Sequence, residues 1–183
     1  MSKQVLFVHS AGAQGRHQGS GELVASLQNA LGESYRVSYP IMPNPERPSY
    51  KPWKLKLAEE LAEVQNEVIL VGHSLGGSVL LKYFSEENCT NAVAGLFLVA
   101  TPYWGKDPNW QVDDFLLREQ FATKLTAIPR MFIYHSRDDE VVPIEHALRY
   151  AESIPQAAVH VLDRCGHAFK AGLPQLVEDI KSL

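Results

Sequence analysis

Residues 67–84 read EVILVGHSLGGSVLLKYF and decide the fold. The apolar run at residues 67–72 is typical of a strand buried on both faces, and SVLLKYF belongs to a helix that follows it. Between them, GHSLG at residues 72–76 matches the pattern G-x-S-x-G, and the strand–turn–helix setting predicts a nucleophile elbow that exposes the Ser74 hydroxyl. The flanking glycines remove Cβ atoms that would clash in such a turn, and Gly77 lets the helix approach the sheet closely. The alternative is a serine N-cap with ordinary loop glycines.

The same alternation of short apolar runs and longer helical periods extends along the whole chain. Further strands are predicted at residues 4–9, 36–42, 92–100, 130–135 and 157–162. Helices are predicted at residues 19–31, 54–64, 112–121, 143–153 and 173–182. Six βα-type units without a hairpin signal predict an α/β fold with one parallel sheet of about six strands and helices on both faces. We expect a single domain over residues 1–183, with room for one crossover helix before the fifth strand and none for a large lid domain.

Composition and charge exclude several classes of protein. The 183 residues carry a formal net charge of −4 and no basic stretch that could follow a phosphate backbone, so nucleic-acid binding is not expected. No apolar run approaches the roughly 20 residues of a membrane span, and the start MSKQVLFVHS is too short for a secretory signal. Cys89 and Cys165 fit neither a disulfide framework nor a zinc spacing and are expected to be free thiols. We therefore expect a cytoplasmic protein without membrane or metal partners, whose oligomeric state stays open.

Two loops after later strands carry the partners that an activated serine needs. A serine hydroxyl requires a base, and the base requires an orienting carboxylate; in this setting they follow in the order Ser, Asp or Glu, His. Asp139 lies after the strand at 130–135, one turn before a proline-initiated helix, and is the candidate acid, with Asp138 as the alternative. His167 follows the last strand, where Gly166 gives the ring room to turn, and it is the candidate base because no other histidine has this order and place.

Donors for a developing oxyanion are predicted from position alone. The residue after the nucleophile, Leu75, supplies one backbone N–H. The loop after the first strand supplies the other, from Ala11 or, as the alternative, from Ser10. His9 and Ser10 in that loop are also candidate substrate contacts.

Two long irregular stretches follow strands and are therefore expected at the carboxyl edge of the sheet, where ligands bind in open α/β folds. These are the proline-rich residues 40–52 and the aromatic residues 101–112. Within the second stretch, Tyr103, Trp104 and Trp110 are candidates for lining an acyl or alcohol pocket. The alternatives are that these rings cover the edge of the core and that residues 40–52 are a plain surface connection.

The segments VLFVHS, GHSLGG, SRDDEVVP and CGH together resemble the minimal α/β-hydrolases, and specifically the retinoblastoma-binding-protein-9-like serine hydrolases. The run YPIMPNPERPSYKPW at residues 39–53 is similar to a stretch that members of that group carry after the second strand. The resemblance implies a three-layer α/β-hydrolase fold with six parallel strands and a Ser-Asp-His triad at Ser74, Asp139 and His167. Many relatives have His-Gly where this chain has His9-Ser10, a departure that places a side chain in the loop presenting the oxyanion donor.

These residues predict a serine hydrolase that cleaves small carboxylic esters or related acyl compounds through an acyl-enzyme, without a metal ion or organic cofactor. Ser74 attacks the carbonyl carbon, His167 moves the proton, and Asp139 fixes the imidazole tautomer. Two alternatives stay open: thioester or amide hydrolysis on the same triad, and a protein-binding module on a hydrolase fold with little activity. Cys165 is disfavoured as a nucleophile because serine already fills the elbow. The expected partner is a small-molecule acyl substrate.

Overall fold

A six-stranded parallel sheet forms the centre of the computed structural model, which describes residues 2–183. The strands are β1 (Lys3–Val8), β2 (Tyr35–Ser38), β3 (Val68–His73), β4 (Val93–Val99), β5 (Met131–Ser136) and β6 (Ala158–Leu162). They lie in the spatial order β2-β1-β3-β4-β5-β6, and every neighbouring pair is parallel. The predicted α/β fold class and strand number are confirmed.

Helices cover both faces of this sheet. They are α1 (Gly21–Leu31), α2 (Tyr50–Ala62), α3 (Leu75–Glu86), α4 (Phe121–Lys124), α5 (Glu145–Ser153) and α6 (Pro174–Lys181). Helices α2 to α5 contribute to one apolar cluster, whereas α1 and α6 contribute to a second cluster on the opposite face. Within residues 2–183, no helix is long and apolar enough to cross a membrane.

The four inner strands, β1, β3, β4 and β5, are mostly apolar because both of their faces are buried, whereas the edge strands β2 and β6 are only partly buried. In β1, Val5 and Phe7 join the cluster with α1 and α6, while Leu6 and Val8 join the cluster on the other face. All six residues of β3 are buried. This two-sided burial explains why continuous apolar runs, rather than alternating ones, predicted the strands.

Two element boundaries differ from the predicted ones by four residues. Strand β2 ends at Ser38 instead of continuing to residue 42, and Pro40, two residues later, has no N–H to donate to a sheet. Helix α2 begins at Tyr50 rather than at Lys54, since Pro52 lies in the first turn, where its missing N–H would have no intrahelical acceptor.

The helix predicted over residues 112–121 is wrong. The segment forms one 3-10 turn at Asp113–Phe115, an irregular stretch, and then the four-residue helix α4. The Asp114 carboxylate accepts the Tyr50 N–H at 2.5 Å, which fixes this segment across the start of α2. Gln120, with φ of 62°, interrupts the helical backbone before α4.

The topology places a crevice between β1 and β3. The connection after β1 runs through α1 on one face of the sheet, and the connection after β3 runs through α3 on the other. In an open α/β sheet, two neighbouring strands whose connections run over opposite faces have loops that diverge at their carboxyl ends. This divergence leaves room for a ligand beyond the ends of the strands. This is where the structure brings together the loop after β1 and the start of α3.

Four histidines are buried in or close to the carboxyl edge: His9, His73, His135 and His146, which are 5%, 1%, 0% and 1% exposed, respectively. Burial lowers the pKa of each ring below the ordinary value, and for His73 the pKa is lowered to about 3. The folded protein therefore holds these rings neutral.

We expect the free energy of unfolding to fall as the pH decreases from 7.5 to 5. An unfolded histidine takes up a proton near pH 6.5 while the buried ring does not, so protons favour the unfolded chain below that pH and have little effect above it. His73 alone is expected to remove about 2 kcal/mol at pH 5. Urea unfolding at constant ionic strength measures the trend, and stability that stays level from pH 7.5 to 5 would contradict it.

Candidate active site

Ser74 occupies the sharp turn between β3 and α3 with backbone angles φ 52° and ψ −120°. A positive φ is strained for a residue with a side chain, by roughly 1–3 kcal/mol. The Ser74 N–H donates to the Val99 carbonyl oxygen at 2.8 Å, which holds the turn against the neighbouring strand β4. Ser74 is 8% exposed, and it borders a cavity at the carboxyl edge of the sheet.

The glycines that flank Ser74 are required by close contacts. A Cβ atom on Gly72 would lie 2.5 Å from the Gly77 nitrogen, and one on Gly76 would overlap the Val8 carbonyl oxygen. Real Cβ atoms do not approach so closely. Substitution at either position would therefore push α3 away from the sheet and displace Ser74.

His167, in the loop between β6 and α6, is held by Asp139. Its Nδ1 lies 2.9 Å from Asp139 Oδ2 and 3.1 Å from Oδ1. The Asp139 side chain is fully buried, whereas that of His167 remains 13% exposed and borders the same cavity as Ser74. Because a carboxylate accepts the hydrogen bond at Nδ1, the proton of a neutral ring resides there and Nε2 is left with a lone pair. No hydrogen bond joins the Ser74 hydroxyl to His167 within the described chain, and such bonds often tighten only when substrate binds.

The Asp139 carboxylate is also held by backbone donors. Its Oδ1 accepts the Val141 and Val142 N–H groups, each at 2.8 Å. Burial by itself would raise the pKa of Asp139, but the hydrogen bonds from His167 and from these two amides outweigh it, and the net pKa lies below the ordinary value. Asp139 is therefore an anion at neutral pH, which is the state that orients an imidazole.

The neighbouring carboxylates hold the backbone of the His167 loop. Asp138 Oδ1 accepts the Ser136 hydroxyl and, at 3.1 Å, the Gly166 N–H. Glu140 Oε2 accepts the His167 N–H at 3.2 Å. The structure thus brings Asp139 to the imidazole ring and directs Asp138, the alternative acid, to the main chain.

The loop after β1 leaves one free donor beside the nucleophile. The Ser10 N–H donates to Ser20 Oγ at 2.9 Å, and the Gly12 N–H donates to the Pro45 carbonyl oxygen at 2.8 Å. Between them, the Ala11 N–H has no acceptor within residues 2–183, and Ala11 borders the cavity. Leu75 also borders the cavity and begins α3, so its N–H has no intrahelical partner. Of the two predicted alternatives for the second donor, Ala11 is the one whose N–H is uncommitted.

The cavity has a volume of about 510 Å³, and its lining is mostly apolar. Aromatic and aliphatic side chains line it, namely Pro48, Leu75, Pro102, Trp104, Trp110, Val112, Phe115 and Val141. The Trp104 indole donates to Ser78 Oγ at 2.9 Å and contacts the Trp110 ring, with centroids 5.0 Å apart. The predicted pocket residues Trp104, Trp110 and Ser10 therefore do border the cavity.

Two other predicted contacts lie elsewhere. The Tyr103 ring packs against Tyr150, with centroids 4.7 Å apart, so for this residue the core-edge alternative applies. His9 borders a different cavity, beside Gln14 and Tyr39.

Several cavity residues were missed by the sequence analysis. Among them, Val112 and Phe115 belong to the segment that was predicted as a helix. Neither has a motif, although their position in or beside the aromatic stretch after β4 was the available signal. A larger cavity, of about 660 Å³, lies at the opposite edge of the sheet near Lys3 and Arg130 and contains none of the predicted site residues.

Comparison with known proteins agrees with this architecture. Residues 17–181 match the family described as serine hydrolase. The putative hydrolase YdeN of Bacillus subtilis (strain 168) is 24% identical over 169 residues, which cover 91% of this chain and 86% of the relative.

Solved structures show the same fold. The crystal structure of the ydeN gene product from B. subtilis has a TM-score of 0.83 at 23% identity and covers 99% of this chain and 98% of its own. The meta-cleavage product hydrolase CumD from Pseudomonas fluorescens IP01 has a TM-score of 0.75 at 16% identity, covering 99% of this chain and 91% of its own. These likenesses identify the sheet and its helices as an α/β-hydrolase fold. With a family match over most of its length, this chain belongs to the serine hydrolase family.

Proposed function

We propose that this hydrolase cleaves small, uncharged carboxylic esters through an acyl-enzyme formed on Ser74. One observation carries the proposal: His167, held by buried Asp139 at 2.9 Å, borders the same cavity as the strained Ser74. Acyl transfer by a serine requires a base that takes the proton of the hydroxyl and an acid that orients the base.

The mechanism follows from the hydrogen bonds of the three groups. Because Asp139 holds the proton on Nδ1, the His167 Nε2 lone pair takes the Ser74 proton as Oγ attacks the carbonyl carbon. The tetrahedral oxyanion accepts hydrogen bonds from the Leu75 and Ala11 N–H groups, and Asp139 stabilises the imidazolium. His167 then protonates the leaving alcohol. In the second half, His167 activates a water molecule, which hydrolyses the acyl-enzyme and releases the acid.

The lining of the cavity favours an uncharged acyl group. Within residues 2–183, no lysine, arginine, aspartate or glutamate borders it, and its only titratable side chains are His73 and His167. A charged acyl chain would lose its hydration without gaining a partner, which is strongly unfavourable. Thioesters and amides use the same steps, so a library of matched esters, thioesters and amides distinguishes among them.

Membership of the retinoblastoma-binding-protein-9-like group is part of the proposal, supported by the M-P-N-P…W run. Trp53 is fully buried, and its indole donates to the Pro43 carbonyl oxygen at 2.8 Å. Met42 is also buried, and its N–H donates to Gln14 Oε1 at 2.8 Å. The run is therefore held in a defined conformation, and it contains Pro48, which borders the cavity. A cytoplasmic location is proposed as well, supported by the free thiols of Cys89 and Cys165.

Treatment with a fluorophosphonate is expected to add one adduct to the parent protein and none to Ser74→Ala. The reagent reacts with serines that a neighbouring base activates, and Ser74 is the one beside His167. Intact-mass analysis measures the adduct, and circular dichroism establishes that both proteins are folded. A folded parent without an adduct would overturn the proposal and favour the protein-binding module.

Asp139→Asn is expected to reduce kcat for p-nitrophenyl butyrate by roughly 10⁴-fold, because an amide no longer holds the imidazole in the required tautomer. Asp138→Asn is the matched control at the next residue. Asp138 accepts the Ser136 hydroxyl and the Gly166 N–H and makes no contact with the imidazole, so its substitution is expected to reduce kcat about 10-fold or less. Equal losses in the two variants, with melting temperatures close to that of the parent, would contradict the assignment of Asp139.

The uncharged cavity predicts discrimination between esters of equal length. We expect kcat/KM for p-nitrophenyl hexanoate to exceed that for the p-nitrophenyl monoester of adipic acid by about 100-fold or more, because the carboxylate of the latter would be desolvated without a cation. Initial rates at pH 7.5, corrected for spontaneous hydrolysis, measure the ratio. Comparable values for the two esters would show that the acyl chain does not enter this cavity.

A further inference from the structure

A line of buried hydrogen bonds runs beside the proposed active site without containing any of its reacting groups. His73, Ser20 and Ser10 form this line and are 1%, 0% and 6% exposed, respectively. His73 Nδ1 lies 2.8 Å from Ser20 Oγ, and His73 Nε2 lies 2.8 Å from the His167 carbonyl oxygen. We name the His73 and Ser20 side chains, together with the Ser10 amide and the His167 carbonyl that they contact, the His73 bridge.

The donors and acceptors of the His73 bridge can be assigned in only one way for a neutral ring. A carbonyl oxygen only accepts, so His73 Nε2 carries the proton and donates it to the His167 carbonyl. Nδ1 is then an acceptor, and the Ser20 hydroxyl donates to it. Ser20 Oγ in turn accepts the Ser10 N–H at 2.9 Å. Ser20 Oγ also lies 3.2 Å from Ser10 Oγ, but a hydroxyl has one proton, and the acceptor Nδ1 at 2.8 Å is the closer partner for it. The line therefore runs in a single direction, from the Ser10 amide to the His167 carbonyl.

The two ends of the His73 bridge are the two loops on which the proposed reaction depends. One end holds the main chain of His167, the base. The other end holds the Ser10 amide, directly before Ala11, whose N–H is the proposed oxyanion donor. His73 itself directly precedes Ser74. Two loops that are far apart in sequence are thus tied to the backbone of the nucleophile by one side chain.

The ring of His73 is kept neutral by its surroundings. Burial is the main cause that lowers its pKa to about 3, and the neighbouring His167 adds to it. Of the other facing groups, Asp139 raises the pKa, as does the hydrogen bond to the His167 main chain, and His9 lowers it. The His73 and His167 rings lie 5.2 Å apart, centroid to centroid, so a second cation here would oppose the imidazolium formed during catalysis. A neutral His73 keeps its acceptor for Ser20 throughout the cycle.

We propose that His73 is a positioning residue that, through Ser20, fixes the His167 loop and the Ala11 loop in register on either side of Ser74. The inference rests on the proposed function, since it concerns the rate of acyl transfer at that site. His73 contacts no reacting atom. Displacement of a catalytic group by about 1 Å costs up to roughly 100-fold in rate, and the His73 bridge prevents such a displacement of the base and the oxyanion donor together.

Ser20→Ala tests the proposal, because it opens the His73 bridge without changing either end. We expect kcat for p-nitrophenyl butyrate to fall about 10- to 100-fold with KM changed less than about twofold, since ground-state binding uses the apolar cavity. The inhibition constant of phenylboronic acid, which forms a tetrahedral adduct, is expected to rise in parallel with the loss of kcat/KM. Ser38→Ala is the matched control. Ser38 ends β2, and its hydroxyl donates to Glu60 in α2. We expect the kcat of this variant to match that of the parent.

A pair of substitutions at His73 keeps the test decisive if Ser20→Ala does not fold. His73→Gln retains an amide donor for the His167 carbonyl and an acceptor for Ser20, whereas His73→Leu retains neither. We expect His73→Gln to keep at least about 10-fold more kcat than His73→Leu. Folded variants with a lower melting temperature and a kcat within about threefold of the parent's would overturn the positioning role. A parent that neither hydrolyses the ester nor reacts with the fluorophosphonate would instead overturn the proposed function, and this inference with it.

Discussion

The left-handed backbone of Ser74 is the constraint on which the rest of the site depends. With φ of 52°, the chain reverses between the last residue of β3 and the first residue of α3, so the serine stands at the sheet edge with a helix N-terminus directly behind it. The strain is offset by the hydrogen bond to Val99 and by the packing of α3 on the sheet, which glycines at 72 and 76 permit. One local conformation thus positions both the Ser74 hydroxyl, the proposed nucleophile, and the Leu75 N–H.

The parallel topology supplies the remaining groups, because the loops after β1, β5 and β6 all emerge at the edge that carries Ser74. Three consecutive acidic residues follow β5 and have two different kinds of partner. Asp138 and Glu140 hold main-chain N–H groups of the loop after β6, and Asp139 between them reaches the imidazole. A carboxylate can hold an imidazole in one orientation only when the backbone that carries the imidazole is itself fixed.

The sequence was sufficient for the strands and the elbow because two-sided burial and a glycine-flanked turn are local properties. The sequence was insufficient where a contact between residues distant in sequence determines the backbone conformation or the partners of a group. Ala11 and Ser10 are indistinguishable as donors until Ser20 is seen to accept the Ser10 amide. Residues 112–121 have helical composition, yet the bond from Tyr50 to Asp114 holds them in another path. Tyr103 and Trp104 are adjacent aromatic residues, and only the folded structure shows that Trp104 borders the cavity whereas the Tyr103 ring packs against Tyr150.

The groups that each imidazole at this edge faces distinguish His167, the proposed base, from the other rings. His135 also approaches Asp139, at 3.4 Å, but its Nε2 donates to the Val142 carbonyl and the ring is fully buried. His73 is committed at both nitrogens, to Ser20 and to the His167 carbonyl. His167 alone combines a carboxylate at one nitrogen with a cavity beside its ring. Burial lowers the pKa of His73 and His135 and keeps their rings neutral. In the proposed mechanism a proton taken from Ser74 is therefore accepted by His167, where Asp139 stabilises the positive charge.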